Sequence, residues 1–239
     1  QYRSGALQDV PGITDLVRSR GALTVWDASH AAGSVDLRFD EWGVDLAVGC
    51  TYKYLNSGPG APGWLYVNAA RQAELQVPIQ GWFANRDQFA MGPDFVPADG
   101  IRRFQIATPP VIGLRAVQVA TGMIEQAGMA AISAKARQGT DLMITLFDAW
   151  LEPLGFTLLT PRDPAARGGH ITIRHPDAKQ IAAAMRALTR TIPDYRVPDS
   201  IRLAISPLPT SYTEVWDGFD RLRGLVDSGR YREVDSSGR

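Results

Sequence analysis

Four side chains capable of acid–base or covalent chemistry follow two short hydrophobic runs of the sequence. The run ALTVWD ends in Asp27, and His30 comes three residues later. The run DLAVGC is followed closely by Tyr52 and Lys53. Ligands of open α/β sheets bind outside the carboxyl ends of the strands. If both runs are strands of one such sheet, we expect these four side chains to share one site.

A lysine next to an aspartate suggests a particular cofactor. A lysine amine forms a Schiff base with an aldehyde, and pyridoxal phosphate is the common cofactor that uses this bond. The same cofactor needs an acidic partner at its pyridine nitrogen. Lys53 and Asp27 meet both needs, and Gly58 and Gly60 would let backbone approach a bulky ligand. An ordinary strand-end turn with a salt bridge at Asp27 fits the spacing equally well, so the spacing leaves both interpretations open.

The elements that must position these residues alternate between helix and strand. Helices are predicted for Gly5–Arg20, Pro109–Gly128 and Met129–Leu151, and strands for ALTVWD, DLAVGC and GWLYV. The apolar strands are typical of a parallel sheet covered on both faces. In the second half, the predicted strands are FTLLT, GHITIRH and SIRLAIS, and the predicted helices are AKQIAAAMRALT and YTEVWDGFDRLRGLVDSG. The tail YREVDSSGR is expected to fray.

This order of elements predicts an α/β fold with two domains. Residues 1–127 would form part of a large domain, with a mostly parallel sheet flanked by helices. Residues 128–239 would form a smaller α+β domain. Because the chain begins at Gln1 in sequence that looks internal to a domain, we expect it to be the carboxyl-terminal part of a longer protein.

Composition excludes several classes of function. The 25 basic and 25 acidic residues balance, which argues against a nucleic-acid-binding protein. No apolar run approaches the roughly 18 residues of a membrane span, so we expect no membrane partner. Cys50 is the only cysteine, which excludes an internal disulfide and fits a reducing, cytoplasmic compartment.

Four longer motifs carry a family resemblance. They are WDASHAAG (26–33), WGVDLAVGCTYKYLNSGPGAP (42–62), GWF (81–83) and IRLAISPL (201–208). In this order they resemble kynureninase, a fold-type-I pyridoxal phosphate enzyme of the aminotransferase class V group. The resemblance implies a cytoplasmic homodimer with its site at the subunit interface. It also implies hydrolysis of L-kynurenine or 3-hydroxykynurenine to anthranilate or 3-hydroxyanthranilate and L-alanine, within tryptophan catabolism and NAD biosynthesis.

The resemblance assigns roles to the residues at the two strand ends. Lys53 corresponds to the Schiff-base lysine, and Asp27 to the partner of the pyridine nitrogen. His30 stands where the family has a cofactor-contacting histidine, although a purely structural histidine is the alternative. Tyr52 matches a tyrosine that hydrogen-bonds the cofactor phosphate, and Tyr52 and Lys53 are the candidates for proton transfer.

Three further residues receive roles from the same resemblance. Trp82 matches a tryptophan that reaches the cofactor phosphate from the neighbouring subunit, although an aromatic in a loop more often only packs. Thr108 takes a cofactor-contacting position, or else caps the helix that follows Pro109. Arg202 matches the arginine that grips the substrate α-carboxylate, since a planar guanidinium can hold both oxygens. An arginine in an apolar strand also needs a partner, because a buried unpaired charge is costly.

The sequence departs from the family pattern at a few positions. Ala84 and Asn85 follow GWF where relatives often have Gly-His. The run RTIPDYRVP contains Pro193 and lacks a glycine that relatives often have just upstream, which would alter the approach to Arg202. Another class V activity, a cysteine desulfurase-like lyase or an aminotransferase, is the alternative among enzymes. A desulfurase needs a mobile cysteine, and Cys50 at a buried strand end is poorly placed for that.

A catalytically incomplete, dimerising fragment is the alternative outside enzymes. In the family, an upstream half supplies a phosphate-binding turn, an aromatic that stacks on the cofactor and a further carboxylate, and residues 1–239 contain no counterpart of them. We therefore expect these residues alone to bind the cofactor weakly, to hydrolyse no kynurenine, and to self-associate through uncovered sheet.

Overall fold

The computed structural model describes residues 1–235, which fall into two units of interleaved segments. The amino-terminal unit consists of Asp9–Ser29 and Leu37–Met123. The carboxyl-terminal unit consists of Gln1–Gln8, His30–Asp36 and the chain from Ile124 onward. Three short segments of the first predicted domain, residues 1–8, 30–36 and 124–127, therefore lie in the carboxyl-terminal unit. The boundary between the two predicted domains at residue 127 stays a prediction.

The amino-terminal unit begins with a helix that is shorter than predicted. Asp9 caps it by accepting a hydrogen bond from the Gly12 amide, and Pro11 occupies its first turn. Gly5, the predicted first helical residue, has φ +76°, which is left-handed backbone outside the helical region. The elements are α1 (Val10–Ser19), β1 (Val25–Asp27), β2 (Leu46–Gly49), β3 (Trp64–Val67), α2 (Ala69–Gln72) and α3 (Val111–Ala127).

The sheet of this unit has the order β1-β2-β3. Strands β1 and β2 are parallel, with Asp27 opposite Val48, whereas β3 runs antiparallel to β2. The predicted mostly parallel sheet is therefore a small mixed sheet, in which only one of two pairings is parallel. The GWLYV run forms a strand as predicted, but it returns next to β2 without a crossover helix.

One face of this sheet is covered, and the other is covered only in part, at Val67. Ala47 on the covered face is fully buried and packs with Val10, Val44 and surrounding aromatic rings. On the opposite face Val25 is 67% exposed, Val48 38% and Leu65 42%. The prediction of a sheet buried on both faces is therefore wrong, because apolar strand composition does not by itself determine what covers each face.

The carboxyl-terminal unit is an antiparallel sheet with helices, as predicted for an α+β domain. Its strand order is β4-β5-β7-β6. The core lies where the helices meet this sheet, and it contains the fully buried residues Ile171, Ile201 and Phe219. The elements are α4 (Met129–Leu146), β4 (Thr157–Leu158), β5 (His170–Arg174), α5 (Ala178–Leu188), β6 (Asp194–Arg196), β7 (Ser200–Ala204) and α6 (Tyr212–Asp227).

The end of the described chain is more ordered than predicted. Residues Arg230–Glu233 form a short 3₁₀ turn, in which Tyr231 is buried and donates a hydrogen bond to Asp177 Oδ2 at 2.7 Å. The predicted fraying is thus wrong for the start of YREVDSSGR, and residues 236–239 lie outside the described residues. No helix among residues 1–235 is long and apolar enough to cross a membrane.

Candidate active site

Lys53 lies in a turn that follows β2 and is fixed by its backbone. The Asn56 amide donates to the Lys53 carbonyl at 2.9 Å, and the Ser57 amide donates to the Thr51 carbonyl at 3.0 Å. Buried Thr51 anchors the turn by donating its hydroxyl to the Pro62 carbonyl at 2.6 Å. The sequence therefore folds into a closed loop that holds a lysine at the end of a strand.

Tyr52 and Lys53 lie close together in this turn, and the tyrosine is the more accessible of the two. The Lys53 Nζ atom is 5.5 Å from the centroid of the Tyr52 ring, within the range of a cation–π interaction. Tyr52 is 53% exposed, whereas Lys53 is half-buried. The two proposed proton-transfer groups are therefore neighbours in the structure.

Asp27 ends the strand next to β2. Its Oδ1 atom accepts a hydrogen bond from the Ser29 amide at 2.9 Å, which holds the carboxylate at the strand end. Because β1 and β2 are parallel, their carboxyl ends lie at the same edge of the sheet. Asp27 and the turn that carries Lys53 are therefore both at this edge. The structure thus places Asp27, Tyr52 and Lys53 at one sheet edge of the amino-terminal unit.

The loop after this turn leaves room for a ligand. Gly58 and Gly60 have φ of +78° and +82°, and a Cβ atom built on either would meet nothing within 4 Å. Both positions need glycine for their backbone conformation rather than for lack of space. Gly113, near the start of α3, is by contrast close to the Gly60 carbonyl. A Cβ atom added at Gly113 would lie 3.1 Å from that oxygen.

Trp82 and Thr108 are also in the amino-terminal unit. Trp82 opens a short 3₁₀ turn and contacts the rings of Phe83 and Phe89, with centroids 4.6 and 6.0 Å away. Thr108 does not cap α3, because the helix begins at Val111, so that alternative is wrong. Asn85 does make a polar contact, since its Oδ1 accepts a hydrogen bond from the Val96 amide.

Cys50 lies at the end of β2 and is half-buried, not buried as predicted. Its amide donates to Ser29 Oγ at 3.3 Å, and its Sγ is 3.7 Å from the Ser29 carbonyl oxygen. The cysteine is therefore held against the backbone that follows β1. Among residues 1–235 no group of three metal-ligating side chains is close enough to hold an ion.

His30 and Arg202 lie together in the carboxyl-terminal unit. The Nη1 atom of Arg202 donates to the Tyr2 carbonyl at 2.7 Å and lies 3.3 Å from His30 Nε2. Its Nη2 atom forms an ion pair with Asp194. The prediction that an arginine in this apolar strand needs a partner is confirmed.

The first residues of the chain bring Tyr2 to Arg202. Thr172 on β5 donates its hydroxyl to the Arg3 carbonyl at 2.5 Å, and Thr160 donates to the Ser4 carbonyl at 2.6 Å. These contacts tie the segment Gln1–Gln8 along β5, which is the strand next to β7. Sequence reasoning gave this segment no role.

His170 is a further member of this cluster that the sequence did not single out. It is 2% exposed, and its Nε2 has no hydrogen-bond partner in the described part of the chain. Burial, together with the charge of Arg202, lowers the pKa of His170 to about 3. The side chain is therefore neutral at physiological pH.

Asp194 is the second residue that sequence reasoning missed. It belongs to β6, which was not predicted because Pro193 and Pro198 flank this short run. The available signal was the alternation of Asp194 and Arg196, which puts opposite charges on one face of a strand.

The two units offer different chemistry. The sheet edge of the amino-terminal unit presents an amine, a carboxylate and a phenol, which suit a carbonyl-bearing cofactor with a pyridine nitrogen. The cluster in the carboxyl-terminal unit presents a guanidinium and an imidazole, which suit a carboxylate. The residue types present therefore fit pyridoxal phosphate and an amino-acid substrate.

Comparison with known proteins finds kynureninases among the relatives of this chain. A family model described as the kynureninase C-terminal domain matches residues 132–222. A kynureninase of Burkholderia mallei (strain SAVP1) is 37% identical over 231 residues, which is 97% of this chain and 55% of that protein. A kynureninase of Pseudomonas fluorescens is 37% identical over 227 residues, 95% of this chain and 54% of that protein. The chain thus spans about half the length of these relatives.

The fold is also found in solved structures. The apo cysteine desulfurase from Thermococcus onnurineus NA1 superposes with a TM-score of 0.77 over 94% of this chain and 57% of that one, at 18% identity. At this identity the likeness shows the fold alone. It agrees with the expected aminotransferase class V architecture, of which the chain contains a part.

Proposed function

The chain is a homologue of the carboxyl-terminal portion of kynureninases, and from this relationship we propose that the full-length protein hydrolyses L-kynurenine or 3-hydroxykynurenine. The products would be anthranilate or 3-hydroxyanthranilate, together with L-alanine. The observation that carries the proposal is the placement of Asp27 and the Lys53 turn at the same edge of two parallel strands.

Pyridoxal phosphate, when bound, would supply an electron sink for charge that develops at the substrate α-carbon. Lys53 would hold the cofactor through its amine, and the Asp27 carboxylate would accept a hydrogen bond from the pyridine nitrogen and keep it protonated. The open backbone at Gly58 and Gly60 supports this assignment, because it leaves space next to the turn. Thr108 would add a polar contact to the cofactor.

Tyr52 and Lys53 are the proposed proton-transfer groups. Their adjacency, with Lys53 Nζ 5.5 Å from the Tyr52 ring, supports a shared role. A released lysine amine can accept a proton from the substrate, and the phenol of Tyr52 can donate one or hydrogen-bond the phosphate. Water would then add to the γ-ketone of the substrate, and the Cβ–Cγ bond would break.

Arg202 is the proposed recognition site for the substrate α-carboxylate. Its charge lies in a mostly buried setting, and its guanidinium can hold two oxygens at once. The contact between Arg202 Nη1 and His30 Nε2 supports a joint role for the two residues, with His30 also contacting the cofactor.

We also propose a cytoplasmic homodimer in which Trp82 reaches the cofactor phosphate of the partner. Trp82 is 41% exposed and contacts Phe89, which is 68% exposed, so the two rings together present apolar surface that supports a contact beyond this turn.

Borohydride reduction tests the cofactor assignment without any turnover. Reduction of the protein loaded with pyridoxal phosphate should leave the cofactor attached to Lys53, and Lys53→Ala should remove the label. Lys135→Ala is the matched control, because Lys135 lies on α4 outside the motif. Attachment to Lys135 or Lys179 would contradict the assignment.

The reaction is tested on the full-length protein with three substrates. Kynurenine should yield anthranilate and alanine in equal amounts. Sulfide release from cysteine, or amino transfer from alanine to glyoxylate with no cleavage of kynurenine, would show one of the other class V activities instead.

A further inference from the structure

Three groups hold the Arg202 guanidinium from two sides. The Tyr2 carbonyl and the His30 ring meet Nη1, and Asp194 meets Nη2. These contacts of Arg202 are all made by Nη1 and Nη2, and none by the Nε–H. Nη2 carries two hydrogens and Asp194 takes one of them, so the atoms Nε and Nη2, which form one edge of the guanidinium, keep two donors between them. A carboxylate can be held by two parallel hydrogen bonds from such an edge.

The strand register sets the contact between Asp194 and Arg202. The two residues are direct cross-strand partners in the β6–β7 pairing, and Thr172 faces Arg202 from the other side in the β5–β7 pairing. Side chains opposite each other in an antiparallel pair project from the same face of the sheet. The contact is therefore built into the sheet and does not depend on a flexible loop.

Asp194 is itself held by a second arginine. Its Oδ2 atom accepts from Arg196 Nε at 3.0 Å and also lies 2.9 Å from Arg196 Nη2. One carboxylate thus bridges two guanidinium groups. Arg196 fixes the position of Asp194, and Asp194 keeps the two like charges from facing each other without a counter-ion.

We propose that Asp194 is a positioning residue for carboxylate recognition, which holds Arg202 so that its Nε–Nη2 edge stays available to the substrate, with Arg196 as its support. The inference rests on the proposed function, since it concerns the same arginine. It adds that the strength of carboxylate binding depends on a residue that does not touch the substrate.

Asp194→Asn tests this role, and Asp199→Asn is its matched control. Asp199 forms a comparable pair with Arg174 on the same sheet, with 2.6 Å between Arg174 Nη2 and Asp199 Oδ2, and does not contact Arg202. Binding of L-kynurenine to the cofactor-loaded protein should weaken about tenfold in Asp194→Asn, the loss of one charge-assisted contact, and less than twofold in the control.

The decarboxylated analogue of kynurenine separates positioning from general structural damage. It lacks the group that Arg202 recognises, so wild type and Asp194→Asn should bind it equally. Equal weakening for both ligands, or unchanged kynurenine binding in Asp194→Asn, would overturn the proposal. Arg196→Gln, which keeps Asp194, should weaken kynurenine binding in the same direction but less, and no effect would also count against it.

A spectroscopic measurement keeps this test independent of the proposed function. The chain has three histidines, so the imidazole ¹⁵N signals of His30 can be resolved. Asp194→Asn should shift the His30 Nε2 signal, because the facing Arg202 Nη1 moves, and Asp199→Asn should not. Absence of kynurenine binding in wild type would refute the proposed function, whereas an unchanged His30 signal in Asp194→Asn would refute the positioning role.

Discussion

The ring of His170 meets the ring of His30 edge-on, with centroids 5.7 Å apart and the planes at 60°. On its other side His30 faces the Arg202 guanidinium. A proton on His170 would therefore add positive charge to a cluster that already contains an arginine. Burial and the charge of Arg202 both disfavour that proton, so the pKa of His170 is lowered to about 3.

His170→Gln should flatten the dependence of stability on pH. The folded state binds no proton at His170 between pH 3 and 6.5, whereas the unfolded chain does. The free energy of unfolding should thus fall as pH falls below 6.5, by about 1.4 kcal/mol per pH unit for this one group. Glutamine does not titrate and removes this part of the slope. Urea unfolding of both proteins between pH 7 and 5 measures the difference.

Some slope should remain in His170→Gln, because burial also lowers the pKa of His175. Above pH 7 position 170 should contribute no pH dependence to the free energy of unfolding in either protein. Identical slopes between pH 6.5 and 5 would mean that His170 accepts a proton in the folded protein, and hence that its surroundings are less buried than described.

Local sequence patterns predicted most helices and strands because their causes are local. The Ser211 cap with Glu214 fixes the start of α6, and the apolar spacing of AKQIAAAMRALT gives the buried side of α5. The strands that deliver Asp27 and Lys53 were likewise found from short apolar runs. Their parallel pairing puts both residues at the carboxyl ends of neighbouring strands, where ligands of open α/β sheets bind.

Features that depend on distant contacts were missed. The segment Gln1–Gln8 joins the carboxyl-terminal unit through contacts such as that from Thr172 to Arg3, which are separated by most of the chain. The Arg202 partner Asp194 lies on an edge strand bordered by prolines, where strand signals are weak. Residue types alone indicated that Arg202 needs a partner, but only the β6–β7 register identifies it.

Asp45→Ala should destabilise the amino-terminal unit by about 1–3 kcal/mol, because the buried Thr24 amide loses its acceptor. Asp45 is buried and accepts hydrogen bonds from the Thr24 amide and from Arg71 Nε, both at 3.0 Å. It therefore joins the starts of β1 and β2. Hydrogen exchange of the β1 and β2 amides under native conditions measures the loss.

The exposed pair of Arg38 and Glu41 provides the control for Asp45. Glu41→Ala should change stability by less than about 1 kcal/mol, because exposed ion pairs contribute little. Burial alone would raise the pKa of Asp45, but the hydrogen bonds from Thr24 and Arg71 outweigh it and lower the pKa. The stabilisation by Asp45 should therefore be present above pH 4 and disappear on further acidification. A loss of stability of similar size in Asp45→Ala and Glu41→Ala would contradict this account.

Gly81→Ala should displace the turn that begins with Trp82. A Cβ atom at position 81 would lie 1.7 Å from the Ile106 carbonyl oxygen, which is backbone and cannot rotate away. Gly122→Ala on α3 is the control, because its Cβ meets nothing within 4 Å, and it should be neutral or stabilising by about 1 kcal/mol. We expect faster amide exchange at residues 82–86 and weaker binding of pyridoxal phosphate in Gly81→Ala alone. Equal behaviour of the two variants would show that the segment relaxes freely.

Arg202→Lys should lower kcat/KM of the full-length protein tenfold to a hundredfold, mainly through KM, while leaving the affinity for pyridoxal phosphate unchanged. A lysine ammonium can keep the ion pair with Asp194, but it cannot also offer two parallel donors to a carboxylate. Loss of one charge-assisted contact of about 1.5–3 kcal/mol accounts for the size of the effect. Arg174→Lys on β5, whose partner is Asp199, is the control and should change kcat/KM less than twofold. Steady-state kinetics with kynurenine measure both variants, and an unchanged KM and kcat in Arg202→Lys would show that another residue holds the substrate carboxylate.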